Sequence, residues 1–174
     1  MYLAKNAKKE VKIHTPYIIC NDYMYNELKN IKVPTTIMTN SAENNGNIFG
    51  AVDYLNHKKD IINTGVTIKE YEGGISYHGK SMTIDDDIAI VGSFNMDMRS
   101  AYIDTELMLV INSKYINKQL KASMEEYEKK AATVKNETEY SHIPEGMKMK
   151  ELSDKKKNIK AWFGWAMNGL RFLF

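Results

Sequence analysis

Apolar residues follow two different spacings along the chain, and the two alternate up to about residue 130. Short runs rich in β-branched residues predict strands. These runs are Val11–Ile19, Thr35–Met38, Val66–Tyr71, Ser76–Ile84, Ile88–Val91 and Thr105–Ile111. Stretches with apolar residues at helical spacing predict helices over Asp22–Ile31, Ile48–Ile62 and from Ser113 to about Lys130. This alternation predicts a layered α/β domain.

Individual residues indicate where the predicted helices begin and end. Asp22 and Ser113 are suited to cap helix N-termini, because their side-chain oxygens can accept hydrogen bonds from free backbone amides. Gly65 follows the second helix and predicts its end, since glycine readily adopts the left-handed conformation that closes many helices.

The length of 174 residues suits one domain with a core and an appended tail. We expect an exposed lead-in over residues 1–10 and the domain over residues 11–130. Residues 131–154 are polar and predict a linker, whereas residues 155–174 combine cations with aromatic side chains.

Composition narrows the classes of partner. The net charge of +2 gives no strong general attraction for polyanions, so nucleic acid is not the expected partner. A single cysteine, Cys20, excludes an internal disulfide framework and suits the reducing cytosolic side of a membrane. No run of 18 uncharged apolar residues is present, so we expect no conventional transmembrane helix.

The strongest chemical signal is the run from His78 to Asp85, which is followed after six residues by Gly92-Ser93-Phe94-Asn95. Side chains two apart on a strand share a face, so we expect His78 and Lys80 to emerge together, and Ser93 and Asn95 likewise. In a hairpin that turns at Asp85–Asp87, the four groups would converge at its open end.

These groups suit a phosphodiester. An imidazole can attack phosphorus, while a lysine cation and neutral hydrogen-bond donors stabilise the negative charge of the transition state. The chemistry requires no metal or other cofactor, and the cation of Lys80 disfavours a divalent ion beside His78. None of His14, His57 and His142 is followed at the same spacings by both the lysine and the aspartate that follow His78, and all three are interpreted as packing or surface residues.

Two carboxylates lie close to these groups in the sequence. Asp85 falls at the predicted turn, at odd separation from His78 and Lys80, so we expect it to be mainly structural even though it belongs to the motif. Glu106 lies in a predicted strand and is the better candidate to accept a hydrogen bond from His78 and fix its tautomer. The alternative is that Glu106 is a glutamate at an exposed strand edge.

The pattern His-x-Lys-x4-Asp resembles the phospholipase D superfamily, and more narrowly its bacterial cardiolipin synthase branch. The likeness extends from about Val11 to Lys130. It includes Thr15-Pro16-Tyr17, Thr39-Asn40-Ser41, Tyr77–Ser81, Gly92–Ser100 and Asp104-Thr105-Glu106. Met98 and Asp104 depart from the proline and asparagine that the branch often shows, and neither touches the chemistry directly.

The resemblance implies a phospholipase D-like mixed β-sheet flanked by helices on both faces. It also implies a phosphohistidine intermediate in which His78 is the nucleophile or its acid partner. In that mechanism Lys80, Ser93 and Asn95 hold the phosphate and Glu106 orients the histidine.

The family uses two such motifs, and this chain has one. One histidine must attack while another protonates the leaving oxygen, and these roles need opposite protonation states. We therefore expect activity only with a second motif, supplied by a missing N-terminal half, a separate chain or a symmetric copy. The likeness to the C-terminal half of two-motif enzymes favours a fragment.

The segment from Lys155 to Phe174 combines lysines with tryptophan and phenylalanine, a mixture that suits a membrane interface. The alternative is a terminal helix that packs on the missing half. With the first interpretation, we expect the protein at a membrane surface, on its cytoplasmic face.

These features lead to one principal hypothesis of function, a phosphatidyl transferase of the cardiolipin synthase kind that acts on phosphatidylglycerol or a similar phospholipid. A metal-independent endonuclease of the same superfamily, acting as a homodimer, is the second hypothesis. A catalytically idle half that serves as an assembly partner is the third.

Overall fold

The computed structural model describes residues 1–163, 169 and 171. Its helices are α1 (Tyr2–Lys5), α2 (Asp22–Lys29), α3 (Ile48–Ile62), α4 (Met98–Tyr102), α5 (Lys114–Glu128) and α6 (Asp154–Phe163). Its strands are β1 (Val11–His14), β2 (Ile18–Ile19), β3 (Thr35–Asn40), β4 (Thr67–Tyr71), β5 (Ser81–Ile84), β6 (Ile88–Gly92), β7 (Met96–Asp97), β8 (Met108–Asn112), β9 (Ala131–Val134) and β10 (Tyr140–His142).

Eight of these strands form one mixed sheet in the order β10-β9-β4-β3-β1-β5-β6-β8. The central strands β1, β3 and β4 are parallel, and the strands on either side of them pair antiparallel. A separate parallel pair, β2 with β7, joins the segment after β1 to the segment after β6. The predicted α/β class and the mixed sheet are confirmed.

The two faces of the sheet carry different residues because side chains alternate along each strand. Ile13 and Ile37 lie on one face and pack in the apolar core with Leu28 of α2 and Tyr54 of α3. The opposite face is covered by α5 and is more polar. The sheet is therefore flanked by helices on both faces, as the family resemblance implied.

The three predicted helices agree closely with their predicted ranges, whereas α1 and α4 were not predicted. The lead-in was expected to be exposed, but Ala4 and Ala7 are buried in the core. The helix α3 has its predicted bounds, and Gly65 lies just beyond it with a φ of 87°. Ser113 caps α5, where its hydroxyl accepts a hydrogen bond from the amide of Ile116 at 3.4 Å. The cap of α2 was predicted wrongly: Asn21, one residue before Asp22, accepts the bond from the amide of Met24 at 3.0 Å.

Two predicted strands are shorter than expected. The strand that was predicted over Ser76–Ile84 begins only at Ser81, and the one predicted over Thr105–Ile111 begins only at Met108. Before β5, the backbone amide of Tyr77 donates to the side chain of Asn40 and not to a neighbouring strand. Before β8, the carboxylate of Glu106 accepts hydrogen bonds from the hydroxyls of Ser93 and Ser100.

The linker that was predicted over residues 131–154 is wrong for its first part. Strand β9 pairs with β4, and β10 pairs with β9, so the sheet continues into this segment. The small side chains of Ala131 and Ala132 are buried there. Alanine gives little strand signal in the sequence, and the pairing depends on a partner about 60 residues away.

The C-terminal segment is described only in part. Trp162 in α6 is exposed, as a membrane contact would need, but Lys156 is buried and donates hydrogen bonds to three backbone carbonyls of residues 42, 43 and 45. Lys156 is thus unavailable to lipid. No helix among the described residues is long and apolar enough to cross a membrane. Residues 164–168, 170 and 172–174 lie outside the described part, so the membrane contact stays a prediction.

A buried ionic cluster joins α5 to the centre of the sheet. The Glu128 carboxylate receives a hydrogen bond from Lys69 at 2.6 Å and lies 3.2 Å from Nε2 of buried His14. Burial by itself would raise the pKa of Glu128, but His14, Lys69 and Lys12 outweigh it and lower the pKa to about 2. The ionised carboxylate therefore stabilises the folded chain.

We expect Glu128→Gln to reduce the pH dependence of stability at acidic pH. Because the folded pKa is lowered, the contribution of Glu128 is complete above its ordinary value of 4.5 and is lost as the pH falls towards about 2. The shift corresponds to on the order of 3 kcal/mol. Urea unfolding at pH values from 5 downwards measures how the free energy of unfolding changes with pH.

The matched control is Glu126→Gln, which removes an exposed carboxylate from the same helix. It should leave the change of the free energy of unfolding with pH below pH 5 the same as in the wild type. An equal slope in the wild type and Glu128→Gln would contradict the stabilising role of the buried cluster.

Candidate active site

His78 and Lys80 lie in the irregular segment between β4 and β5, and their side chains meet. The Lys80 ammonium is 2.8 Å from Nδ1 of His78 and 2.8 Å from the His78 carbonyl oxygen. The His78 ring is exposed, and Lys80 is half-buried. The two groups are together, as predicted, although the segment that carries them is not a strand.

This contact fixes the state of the imidazole. A charged lysine can only donate, so Nδ1 of His78 accepts and a neutral ring carries its proton on Nε2. Partial loss of hydration around the His78 ring lowers its pKa, and the charge of Lys80 lowers it further. Burial also lowers the pKa of Lys80, although Glu106 and Asp97 oppose this. The site therefore favours a neutral histidine beside a cation.

Ser93 and Asn95 follow β6 at the same end of the sheet. The Ser93 amide donates to the carbonyl of Leu107 at 3.0 Å, and the Ser93 hydroxyl accepts from the amide of Leu107 at 3.0 Å and donates to Glu106. The Asn95 side-chain nitrogen is 3.4 Å from the hydroxyl of Ser100. The side-chain oxygen of Asn95 is buried and has no hydrogen-bond partner among the residues that the structure describes.

Gly92 connects this group to the histidine segment. Its amide donates to the carbonyl of Lys80 at 3.2 Å, and a Cβ atom at this position would lie 2.1 Å from the carbonyl oxygen of Leu107. Only glycine allows the backbones to approach this closely. The glycine of the Gly-Ser-Phe-Asn motif thus holds the phosphate-binding candidates beside Lys80.

Glu106 does not bond its predicted partner. Its carboxylate was expected to accept from His78, but it accepts from the hydroxyl of Ser93 and, at 2.8 Å, from that of Ser100. The approach of Ser93 to Leu107 brings the carboxylate to the serine instead. Ser100 was missed as a site residue, although the sequence run that resembles the family includes it.

A cavity of about 360 Å³ opens beside His78. Besides His78 it is lined by uncharged residues, some polar and some apolar, namely Pro16, Tyr17, Asn45, Gly46, Asn47 and Ser76. Asn45 and Asn47 come from the polar loop before α3, whose residues the sequence did not indicate as site residues. This cavity is large enough for a small group bonded to the phosphate.

The other histidines have different partners, although Nδ1 of His14 lies 3.3 Å from the hydroxyl of Tyr77, the residue before His78. His14 is buried against Glu128, and His57 lies on α3 with Nδ1 3.0 Å from the carbonyl oxygen of Asp53. Lys59 follows His57 by two residues, but the pair lies on a helix, where positions two apart face different directions. His142 is exposed on β10. The pattern is complete only at His78.

Asp85 is directed away from the site. It occupies the turn between β5 and β6 with a φ of 52°, and its carboxylate accepts from the amides of Lys8, Lys9 and Glu10 at distances from 2.7 to 3.2 Å. Burial would raise the pKa of Asp85, but these amides lower it below its ordinary value. Asp85 ties the lead-in to the sheet, as a structural role would require.

Comparison with known proteins agrees with this architecture. Residues 2–127 match the family model of the cardiolipin synthase, phospholipase D-like domain. The fold and the His-x-Lys pair define a phospholipase D-like domain. The chain belongs to the family of cardiolipin synthase, phospholipase D-like domains.

This chain matches different shares of the length of its individual relatives. Cardiolipin synthase 1 of Staphylococcus epidermidis is 30% identical over 149 residues, which is 84% of this chain and 30% of the synthase. Phosphatidylserine synthase of Haemophilus influenzae has a similar fold, with a TM-score of 0.70 and 17% identity over 99% of this chain and 43% of that protein. The chain thus spans under half the length of either relative.

A shorter structural neighbour is Nuc of Salmonella typhimurium, a phospholipase D family member. It has a TM-score of 0.63 and 17% identity over 76% of this chain and 86% of Nuc. At this identity the likeness concerns the fold.

We expect Asp85→Asn to destabilise the fold and to leave the chemistry of His78 unchanged. Asparagine tolerates a positive φ, so the change removes mainly the charge that three amides contact. The free energy of unfolding should fall by about 2 kcal/mol, the usual value for hydrogen bonds to a charged group. Chemical denaturation measures this loss.

The NMR titration of His78 provides the second measurement. Its pKa should be the same in the wild type and in Asp85→Asn under conditions in which both are fully folded. A changed His78 pKa in the folded variant would show that Asp85 acts on the site.

Proposed function

We propose that this chain carries one half of the active site of a phosphatidyl transferase that works like a cardiolipin synthase. The observation that carries the proposal is the contact between Lys80 and His78 beside Ser93, within a domain of this family. A nucleophile, a cation and a hydroxyl lie together at one end of the sheet. This set suits attack on a negatively charged phosphodiester.

In the proposed reaction, a histidine nitrogen forms a bond to phosphorus as the bond from phosphorus to the headgroup oxygen breaks. A second histidine protonates that oxygen, and the headgroup leaves as an alcohol. An acceptor hydroxyl then attacks phosphorus and gives its proton to the second histidine, while the phosphorus–nitrogen bond breaks and the imidazole is restored. Lys80 and Ser93 stabilise the charge on the phosphoryl oxygens throughout.

The state of His78 supports the need for a second half. Attack by Nε2 requires that nitrogen to be unprotonated, whereas the contact with Lys80 places the proton of a neutral ring there. A group that replaces Lys80 at Nδ1 would move the proton and release Nε2. We propose that a second motif, from another part of the polypeptide or from a second copy, completes the site and supplies the acid.

The substrate class follows from the same reasoning. Phosphatidylglycerol or a similar phospholipid would place its phosphate between Lys80 and Ser93 and its headgroup in the neutral cavity beside His78. Such a substrate resides in a membrane, so we propose that the protein works at a membrane surface on its cytoplasmic face. The exposed aromatic ring of Trp162 supports contact with a membrane surface.

Expression of the whole reading frame that encodes this chain, in cells without other cardiolipin synthases, should produce cardiolipin. His78→Ala should lower the amount at least about 100-fold, because it removes the nucleophile or the acid. Lipid mass spectrometry measures the product, and co-sedimentation with phosphatidylglycerol vesicles tests the membrane contact.

Asp85→Asn is the control, since it should retain the product once the amount of folded protein is taken into account. Absence of cardiolipin from cells that contain folded wild-type protein would contradict the proposal. Cleavage of DNA in EDTA by the same protein would then support the nuclease hypothesis, to which the net charge of +2 gives little support.

A further inference from the structure

The segment that carries His78 is not itself a strand of the sheet. Residues 76–80 precede β5 and form no ladder with a neighbouring strand, yet they place a histidine and a lysine 2.8 Å apart. A loop that performs this function needs another support, because irregular segments are the mobile parts of most folds. The support comes from the end of β3.

We propose that Asn40 is a positioning residue that holds the backbone immediately before His78. The inference rests on the proposed role of His78. Asn40 is the last residue of β3 and is only 1% exposed. Its side-chain oxygen accepts from the amide of Tyr77 at 2.8 Å, and its side-chain nitrogen donates to the carbonyl of Tyr77 at 2.9 Å.

This pair of hydrogen bonds imitates a strand partner. A neighbouring strand would satisfy the amide and the carbonyl of one residue in the same way, and here a single side chain does so. The Asn40 nitrogen also donates to the carbonyl of Pro16 at 2.8 Å, which joins the segment after β1 to the histidine segment. Three stretches of backbone thus meet at one buried amide.

A second asparagine completes the arrangement. The side-chain nitrogen of Asn44 donates to the oxygen of Asn40 at 3.1 Å and to the carbonyl of Ile75 at 3.2 Å. These bonds determine which end of the Asn40 amide faces the Tyr77 amide. Tyr77 is thereby fixed in position, and His78 follows it directly in the chain.

The position of Tyr77 controls the geometry of the site. His78 is exposed and its ring is held by Lys80, so a displacement of its backbone would separate Nδ1 from the ammonium. Displacements of about 1 Å are enough to lower catalytic rates strongly. Asn40 therefore acts through the histidine and does not touch the substrate.

A purely structural asparagine would behave differently. Asn117 is such a residue, since it is 2% exposed and donates to the carbonyl of Ile88 at 2.7 Å, at the opposite end of β6. Loss of either side chain removes a hydrogen bond to a backbone carbonyl and destabilises the fold. Only the loss of Asn40 should release His78.

The experiment compares Asn40→Leu, Asn40→Asp and Asn117→Leu in the chain alone, without turnover. Two NMR measurements are made at pH 8 on folded protein: exchange of the Tyr77 amide hydrogen and the chemical shift of the His78 ring. We expect Asn40→Leu to accelerate exchange about tenfold or more and to shift the ring signal. Asn117→Leu should change neither.

Asn40→Asp keeps the acceptor and loses both donors, and it serves if Asn40→Leu does not fold. Protection of the Tyr77 amide should remain, whereas the ring signal should still move because the Tyr77 carbonyl is released. An unchanged His78 signal in a folded Asn40 variant would overturn the inference, and so would an equal shift in Asn117→Leu. Because no reaction is measured, these NMR results test the role of Asn40 even if the proposed lipid chemistry is wrong.

Discussion

The contact between Lys80 and His78 is the interaction on which the rest of the site depends. It joins a cation to an imidazole at 2.8 Å and forces Nδ1 of the ring to accept a hydrogen bond. Partial loss of hydration and the neighbouring cation lower the pKa of His78, and a neutral ring that accepts from Lys80 at Nδ1 carries its proton on Nε2. The chain thus presents a lysine cation and a histidine as one contacting pair at this end of the sheet.

Backbone contacts around the pair explain how a loop can hold it. Gly92 fixes the carbonyl of Lys80 from one side, and the same glycine allows Ser93 to reach Leu107. Asn40 fixes Tyr77 from the other side. The two ends of the His78–Lys80 segment are therefore hydrogen-bonded to β3 and β6. These bonds hold the segment in place although it is not itself a strand.

Sequence patterns predicted most of this fold, because α3 and α5 carry clear helical spacing with caps and the core strands are rich in β-branched residues. They also predicted that His78 and Lys80 lie together, but they placed the pair on a strand, whereas it lies in an irregular segment. Strand β9 was missed, since two alanines give no period and its partner is distant. The hydrogen bond from the Ser93 hydroxyl to Glu106 was missed as well. It depends on the close approach of Gly92 to Leu107 and not on the spacing of charged residues.

The tautomer of His78 tests the central claim most directly. Long-range nitrogen–proton NMR spectra of the chain alone, labelled with ¹⁵N and recorded at pH 8, distinguish the two ring nitrogens by their chemical shifts. The Lys80 contact predicts a neutral ring with the proton on Nε2, and Lys80→Met should remove that preference. A wild-type ring that carries its proton on Nδ1, or that remains doubly protonated at this pH, would contradict the account.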